Sequence, residues 1–241
     1  MPPVPLWNAL PRKRVRYRML FENKIVTGRS RPLAIGAETR PLGRSRFIKN
    51  LLDMVGAMLL MVMLAPLLGL VAILVLLDDG LPVIHRRRVV AGSGEFDAFK
   101  FRSMRRGADE TLNADPLLRS EFERNFKLKN DPRVTRIGTH LRKLSLDELP
   151  QLWNVLIGQM SLVGPRMLTS AELEKYGPHK ALLLSVKPGI TGYWQVNGRQ
   201  DVTYEERVKM DLYYIQNWSL LLDLKIVLLT PWKVMRREGA H

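Results

Sequence analysis

The stretch that decides the reading is Leu141-Arg-Lys-Leu-Ser-Leu-Asp-Glu-Leu-Pro-Gln-Leu-Trp-Asn154, with the adjacent carboxylates Asp147 and Glu148 at its centre. Ser145 followed three residues later by Glu148 is the pattern of a capping box. Apolar residues then recur at Leu149, Leu152, Trp153, Leu156 and Met160 with helical spacing. The pattern predicts two acids in the first turn of an amphipathic helix, where free N–H groups and the positive dipole end favour negative charge. Pro150 brings no donor to that first stretch of helix, so an irregular start is expected. Read locally, Glu148 caps and Asp147 complements the dipole. A chemical role has to come from what the rest of the chain adds.

Outward from this stretch, composition narrows the partners. The 241 residues hold one sizeable domain with appendages, and there is no cysteine, hence no disulfide framework and no thiolate metal site. The four histidines, at 85, 140, 179 and 241, are too scattered to suggest zinc. The net charge is +15, of which +10 falls on residues 1–50. Such a basic arm attracts nucleic acid or an anionic membrane surface, and residues 1–46, rich in Arg and Pro, read as largely disordered.

The next segment of the chain favours the membrane. Met54 to Leu77 is a run of 24 residues without a charge. As one helix it would be about 36 Å long, against a hydrocarbon core of roughly 30 Å. It starts too deep in the chain for a signal peptide. Basic residues flank both ends, Arg44, Arg46 and Lys49 before and Arg86 to Arg88 after, and Pro66 interrupts the middle. Positive charge marks the cytoplasmic side and an internal proline bends a helix, so a re-entrant helix broken near Pro66 is expected; a plain single span is the alternative.

Residues 82–104 read as a hairpin with its turn at Ala91-Gly-Ser-Gly94. Alternation in Phe99-Lys-Phe-Arg-Ser103 places Lys100 and Arg102 on one strand face, which suits either a phosphate or plain solvent. A polar helix is expected over 107–129, interrupted at Pro116, and then a turn at Asp131-Pro-Arg. Gly164-Pro165 predicts a turn that aims Arg166. Lys187 to Arg199 reads as a loop whose Trp194, Gln195 and Arg199 suit a base and phosphates, or whose Trp194 simply packs. Thr203 and Glu206 form a second capping box, for a helix through about Gln216. Trp218 to Arg237 is apolar with tryptophans near both ends, as in a helix lying at a membrane interface, or in a buried core helix.

The inventory is thus a membrane anchor, two acids, and cations drawn from four segments: Lys100 and Arg102, Arg142, Arg166, and Arg199. Many cations around few acids suggests a phosphorylated substrate, since phosphoryl transfer needs positioning and charge neutralisation. A carboxylate can be the nucleophile of a two-step displacement, and a second acid beside it can hold Mg²⁺ with substrate phosphates.

Lys100-Phe-Arg-Ser-Met104, Asp131-Pro-Arg-Val134, Leu141 to Gln151, Met160-Ser-Leu-Val-Gly-Pro-Arg166 and Lys187-Pro-Gly-Ile-Thr-Gly192 resemble, in the same order, the bacterial sugar transferases, the monotopic polyprenyl-phosphate phosphoglycosyl transferases. The likeness runs from about Phe47 to Trp232. Tyr193 to Arg199 and Tyr204-Glu-Glu-Arg207 are most similar to members that start exopolysaccharide or O-antigen units with a hexose-1-phosphate. The resemblance implies transfer of a sugar-1-phosphate from a UDP-sugar to undecaprenyl phosphate with release of UMP. It implies Asp147 as nucleophile on the β-phosphate, Glu148 tied to Mg²⁺ and the reacting phosphates, and Arg142 near the phosphates. Lys100, Arg102, Arg166, Gln195 and Arg199 fall in motifs that line the family's site. The implied fold is α+β and mostly helical: a re-entrant membrane helix over 47–79 and a cytosolic domain over 80–241 with a small hairpin and an interfacial C-terminal helix. The implied location is the cytoplasmic face of the bacterial inner membrane, with no nucleic-acid partner.

Met167 stands where most members have proline, and Leu81 and Val90 replace usual glycines around the hairpin; none touches the acid pair. Two other classes compete: a non-catalytic scaffold for polysaccharide assembly, and a nucleic-acid-binding membrane protein using its basic arm. The hexose is not encoded in any stretch we can read, and assembly as a homo-oligomer is left open.

Overall fold

In this computed structural model the chain is described over residues 43–125, 128, 131–198 and 202–235. The expected basic arm, apart from its last few residues, lies outside them, as does Arg199. Helix α1 (Gly43–Met63) and helix α2 (Ala65–Asp79) carry the apolar run and meet at Leu64 with a bend of 65°. The break follows from Pro66, which sits in the first turn of α2: it has no N–H to continue the ladder of α1, while its fixed φ suits a new helix start. Among the described residues no single helix is long and apolar enough to cross a membrane; the two bent helices reach that length and apolar composition only when taken together. Much of the pair's apolar surface is exposed, including Leu59, Val62, Met63 and Leu77.

The hairpin forms as expected. Strand β1 (Ile84–Ala91) pairs antiparallel with β2 (Gly94–Phe101), in a register that sets His85 opposite Lys100 and Arg87 opposite Ala98. Opposed residues share a face, so Arg87 and Lys100 stand on the same side of the ribbon. Helices α3 (Ala108–Ala114) and α4 (Pro116–Asn125) divide at Asp115 because Pro116 opens the second, also as expected. The Asp131 turn is closed by its own side chain, which accepts from the backbone and guanidinium of Arg133. Helix α5 (Arg136–Lys143), capped by Thr135, leads to the acid pair.

There the structure departs from the helix pattern. Leu146–Glu148 is a single 3-10 turn, and helix α6 (Gln151–Leu156) starts only after Pro150 and ends before Met160. Ser145 has a left-handed backbone (φ 55°) and its side chain caps nothing in this turn, so the first capping box does not form. The irregular start expected from Pro150 is real, and it is larger than a distorted first turn.

Strand β3 (Ser161–Val163) pairs in parallel with β4 (Gly189–Thr191). Lys187–Arg199 is therefore not a loop throughout: it holds β4 and a short helix, α9 (Tyr193–Asn197). Gly164 and Gly189 abut backbone to backbone; a Cβ on Gly189 would lie 2.0 Å from the Gly164 nitrogen, which fixes the path of the chain into Arg166. Helices α7 (Ser170–Glu174) and α8 (Lys180–Leu184) flank this region.

Helix α10 (Tyr204–Gln216) begins with the expected capping box: Thr203 Oγ1 accepts from Glu206 N, and Glu206 accepts from Thr203 N. Helix α11 (Leu220–Met235) buries Asp223 and Ile226 and exposes Leu221, Leu224, Leu228, Trp232 and Met235. It is thus neither a fully buried core helix nor a solvated one. Asp223 accepts hydrogen bonds from Lys49 of α1, Tyr214 of α10 and Trp218, tying the first and last helices together. The architecture is α+β and mostly helical, in agreement with the sequence.

Candidate active site

The hairpin, the end of α5 and the 3-10 turn bring four of the expected residues together. Lys100 Nζ donates to Glu148 Oε1 at 2.5 Å, a charge-assisted bond across 48 residues of chain. Asp147 is only 7% exposed, and the Glu148 side chain 24%. Arg142 donates from Nε to Ser103 Oγ at 3.0 Å, which fixes a guanidinium whose charge acts on Asp147. Ser103 follows β2, so the strand that presents Lys100 also holds Arg142.

The two acids occupy different electrostatic environments although they are neighbours in sequence. Burial pushes Asp147 above the usual carboxylate range; Lys100 and Arg142 oppose this shift, and the negative Glu148 adds to it. Burial also acts upward on Glu148, but the charges of Lys100, Arg166 and Arg87 and the Lys100 hydrogen bond outweigh it and hold Glu148 low. The pair therefore offers one firmly ionised acid embedded in cations and one more basic carboxylate. A split of this kind is characteristic of reactive carboxylates and occurs in structural networks too.

Arg166 reaches this field from the turn after Gly164-Pro165. Its guanidinium lies 5.4 Å from the Trp194 ring centre, with Arg207 at 5.8 Å. Trp194 is 8% exposed, so of the two sequence readings the packed tryptophan is the one the structure bears out. Gln195 donates to the Ile190 carbonyl, and its Oε1 is buried with no partner among the described residues. Arg102 is turned elsewhere: its Nη2 donates to the carbonyls of Asp79 and Gly80 at 2.6 and 2.7 Å and pairs with Asp79, closing the C-terminal end of α2. It is a helix-end ligand here, although it shares a strand face with Lys100.

Arg87 was not singled out from the sequence. It pairs with the buried Glu172 at 2.7 Å and contributes positive charge to Glu148. The available signal was its register: two residues after His85, it falls on the Lys100 face once the hairpin is closed. Glu172 was missed too, though Thr169 and Glu172 form a capping box as legible as that at Thr203.

Among the described residues no three His, Cys, Asp or Glu side chains converge. Such a site does not suit a metal held by protein alone. Two adjacent carboxylates do suit Mg²⁺, which keeps waters and substrate phosphates in most of its positions.

Comparison with known proteins places the chain. The profile of the family described as "Bacterial sugar transferase" matches residues 44–237. A UDP-galactose-lipid carrier transferase of Erwinia amylovora is 48% identical over 201 residues, which is 82% of this chain and 42% of that protein. The undecaprenyl-phosphate galactose phosphotransferase of Salmonella typhimurium is 45% identical over 201 residues, again 82% and 42%. The exopolysaccharide production protein ExoY of Rhizobium meliloti is 42% identical over 220 residues, 88% of this chain and 96% of that protein. The chain thus spans about two fifths of the length of the first two relatives and nearly all of the third. The motif order read from the sequence is that of a real kinship, and this chain belongs to the bacterial sugar transferase family.

Proposed function

We propose that this protein transfers a sugar-1-phosphate from a UDP-sugar to a polyprenyl phosphate of the undecaprenyl type, releasing UMP, as the first membrane step in building an exopolysaccharide-type glycan. The observation that carries this reading is the buried Asp147 beside Glu148, in a field supplied by Lys100, Arg142, Arg166 and Arg87. The names of the relatives support the same class of acceptor and product.

Asp147, as the carboxylate, attacks the β-phosphorus of the donor. A bond forms between its oxygen and phosphorus, the bond from that phosphorus to the bridging oxygen breaks, and UMP leaves with the electron pair. An oxygen of the polyprenyl phosphate then attacks the same phosphorus and frees the Asp147 carboxylate. Burial makes Asp147 the more basic acid of the pair, which suits a nucleophile. Lys100 and Arg166 neutralise phosphate charge as it builds, and Arg142 holds its place through Ser103. Glu148 is the residue that would hold Mg²⁺; the ion, when bound, would screen the diphosphate and assist departure of UMP.

The location follows from the same reading. The bent α1–α2 pair enters and leaves one leaflet, the exposed apolar side of α11 lies in the interface, and basic residues face anionic lipid on the cytoplasmic side of the inner membrane. The test is UMP release from a panel of UDP-sugars by purified full-length protein with polyprenyl phosphate and Mg²⁺. Asp147→Asn is expected to abolish release, since an amide cannot form the acyl phosphate. Full turnover by that variant would remove Asp147 from the nucleophile role.

A further inference from the structure

The mechanism above gives no task to Arg87, although its charge reaches Glu148. Strand register places this residue. Val89, Ala91, Phe96 and Ala98 share one face of the hairpin, and that face is buried with Leu152 and Val155 of α6. His85, Arg87 and Lys100 continue the same face at its open end. Lys100 stands directly opposite His85, so Arg87 is its diagonal neighbour, about 7–8 Å away and within reach of a long side chain. Lys100 in turn donates to Glu148. Backbone geometry therefore sets Arg87 beside the Lys100–Glu148 pair.

Folding alone does not account for a charge here. The Arg87 side chain is 27% exposed, and Nη2 donates to Oε2 of the buried Glu172 at 2.7 Å. That contact commits one end of a guanidinium with five donors. The same Glu172 oxygen also accepts from the Thr169 N–H and hydroxyl. An ion pair taken out of water is weak evidence of stability, since apolar packing of the same volume often serves as well. An apolar residue at this position would simply extend the face of Val89 and Ala91.

Charge balance points towards an anion. Lys100, Arg166 and Arg87 act on Glu148, and Arg87, Arg166 and Arg207 act on Glu172. Four cations thus surround two acids that are both held low. The cations also divide between the adjacent acids: Arg142 acts on Asp147, whereas Arg166 and Arg87 act on Glu148, and Lys100 acts on both.

We propose that Arg87, together with Arg166, binds the α-phosphate of the donor, the phosphate that leaves as UMP, and that Glu172 is the positioning residue that fixes its guanidinium. This rests on the transferase reading above. With the β-phosphorus on Asp147, the α-phosphate lies one bridging oxygen away, and the cations next in line are those beside Glu148. Negative charge that builds on the bridging oxygen as its bond to the β-phosphorus breaks then forms next to two guanidinium groups.

Exchange of labelled UMP into the UDP-sugar that the wild type accepts tests this on full-length protein, without acceptor lipid. Arg87→Gln is expected to raise KM for UMP about tenfold, the size of one charge-assisted contact. Arg87→Lys keeps the charge without the planar fork and should recover only part of that loss. Arg87→Gln combined with Glu172→Gln replaces the ion pair by two amides and keeps a residue able to cap α7. Its KM for UMP should stay about tenfold high, whatever its melting temperature. Partial unfolding would lower the maximal exchange rate and leave KM in place, so the two effects separate. A KM for UMP that is unchanged in Arg87→Gln, or that returns to the wild-type value in the paired variant, would make Arg87 and Glu172 a structural ion pair only and overturn the proposal. A wild type that exchanges UMP with no UDP-sugar would instead overturn the transferase reading.

Discussion

Leaving aside Ser120 to Glu123, which lies inside α4, three stretches of this chain share the pattern Ser/Thr-x-x-Glu: Ser145 to Glu148, Thr169 to Glu172 and Thr203 to Glu206. The second and third close as reciprocal caps at the starts of α7 and α10, whereas the first does not. At Thr203 the glutamate faces solvent and its nearest donors are those of the helix start, so the local pattern decides the outcome. Glu172 does two things: one oxygen accepts from Thr169 N and from Arg87, and the side chain is 1% exposed. Glu148 is drawn off altogether by Lys100. Pro150 removes a donor from any helix begun at Ser145, and the left-handed Ser145 backbone points away from capping geometry. The pattern thus permits a cap, and the nearest buried cation decides whether the glutamate serves the helix, the cation or both.

Removing each glutamate's partner in turn would break or sharpen this comparison. The largest loss of stability is expected from Glu172→Ala, which strands the part-buried Arg87 and removes the glutamate half of the α7 capping box, at a cost of about 3–5 kcal/mol read from thermal or denaturant unfolding. A loss no greater than that of an exposed cap would mean that Arg87 readily reaches solvent. Glu148→Gln keeps the shape and removes the charge; UMP exchange should fall about 10²- to 10³-fold with far less change in melting temperature. If stability falls instead and exchange persists, Glu148 is a structural ion-pair partner like Glu172.

A third buried acid extends the comparison. Asp211 in α10 accepts from the Tyr176 hydroxyl, and burial pushes it up to about 7, with Tyr176, Arg207 and Arg166 pulling the other way. The folded protein therefore holds a proton that the unfolded chain releases near pH 4, so this group's contribution is full below that pH and is lost as pH rises towards 7. Asp211→Asn keeps an acceptor for Tyr176. Its stability relative to wild type should climb by about 1.4 kcal/mol per pH unit across that window and stay level above it. A flat difference would show that the arginines keep Asp211 ionised. The smallest effect is expected at the exposed box: Thr203→Ala should cost about 1 kcal/mol with UMP exchange unaffected.

Local chemistry was enough for the elements whose determinants lie within a few residues. The hairpin turn at Gly94, the division at Pro116, the helix from Tyr204 to Gln216 and the bend beside Pro66 are all set by proline, glycine and capping residues acting on their own neighbours. That Lys100 and the acid pair line one site was expected only because several motifs appear in a familiar order; their direct contact was not, since nothing within either stretch specifies the other. Arg87 and Glu172 were not legible. Their roles depend on strand register and on how α7 packs beside the hairpin, contacts between residues far apart in the chain.

An apolar run interrupted at Pro66, a cationic hairpin and a pair of adjacent acids could all be read in advance, because each is written in short-range pattern and composition. Long-range packing put the acid pair on a 3-10 turn, joined Glu148 to Lys100 and set Arg102 on the end of α2. The physical reason is electrostatic: burial raises the cost of an unpaired charge until the nearest opposite charge, however distant in sequence, outweighs the local preference of the helix.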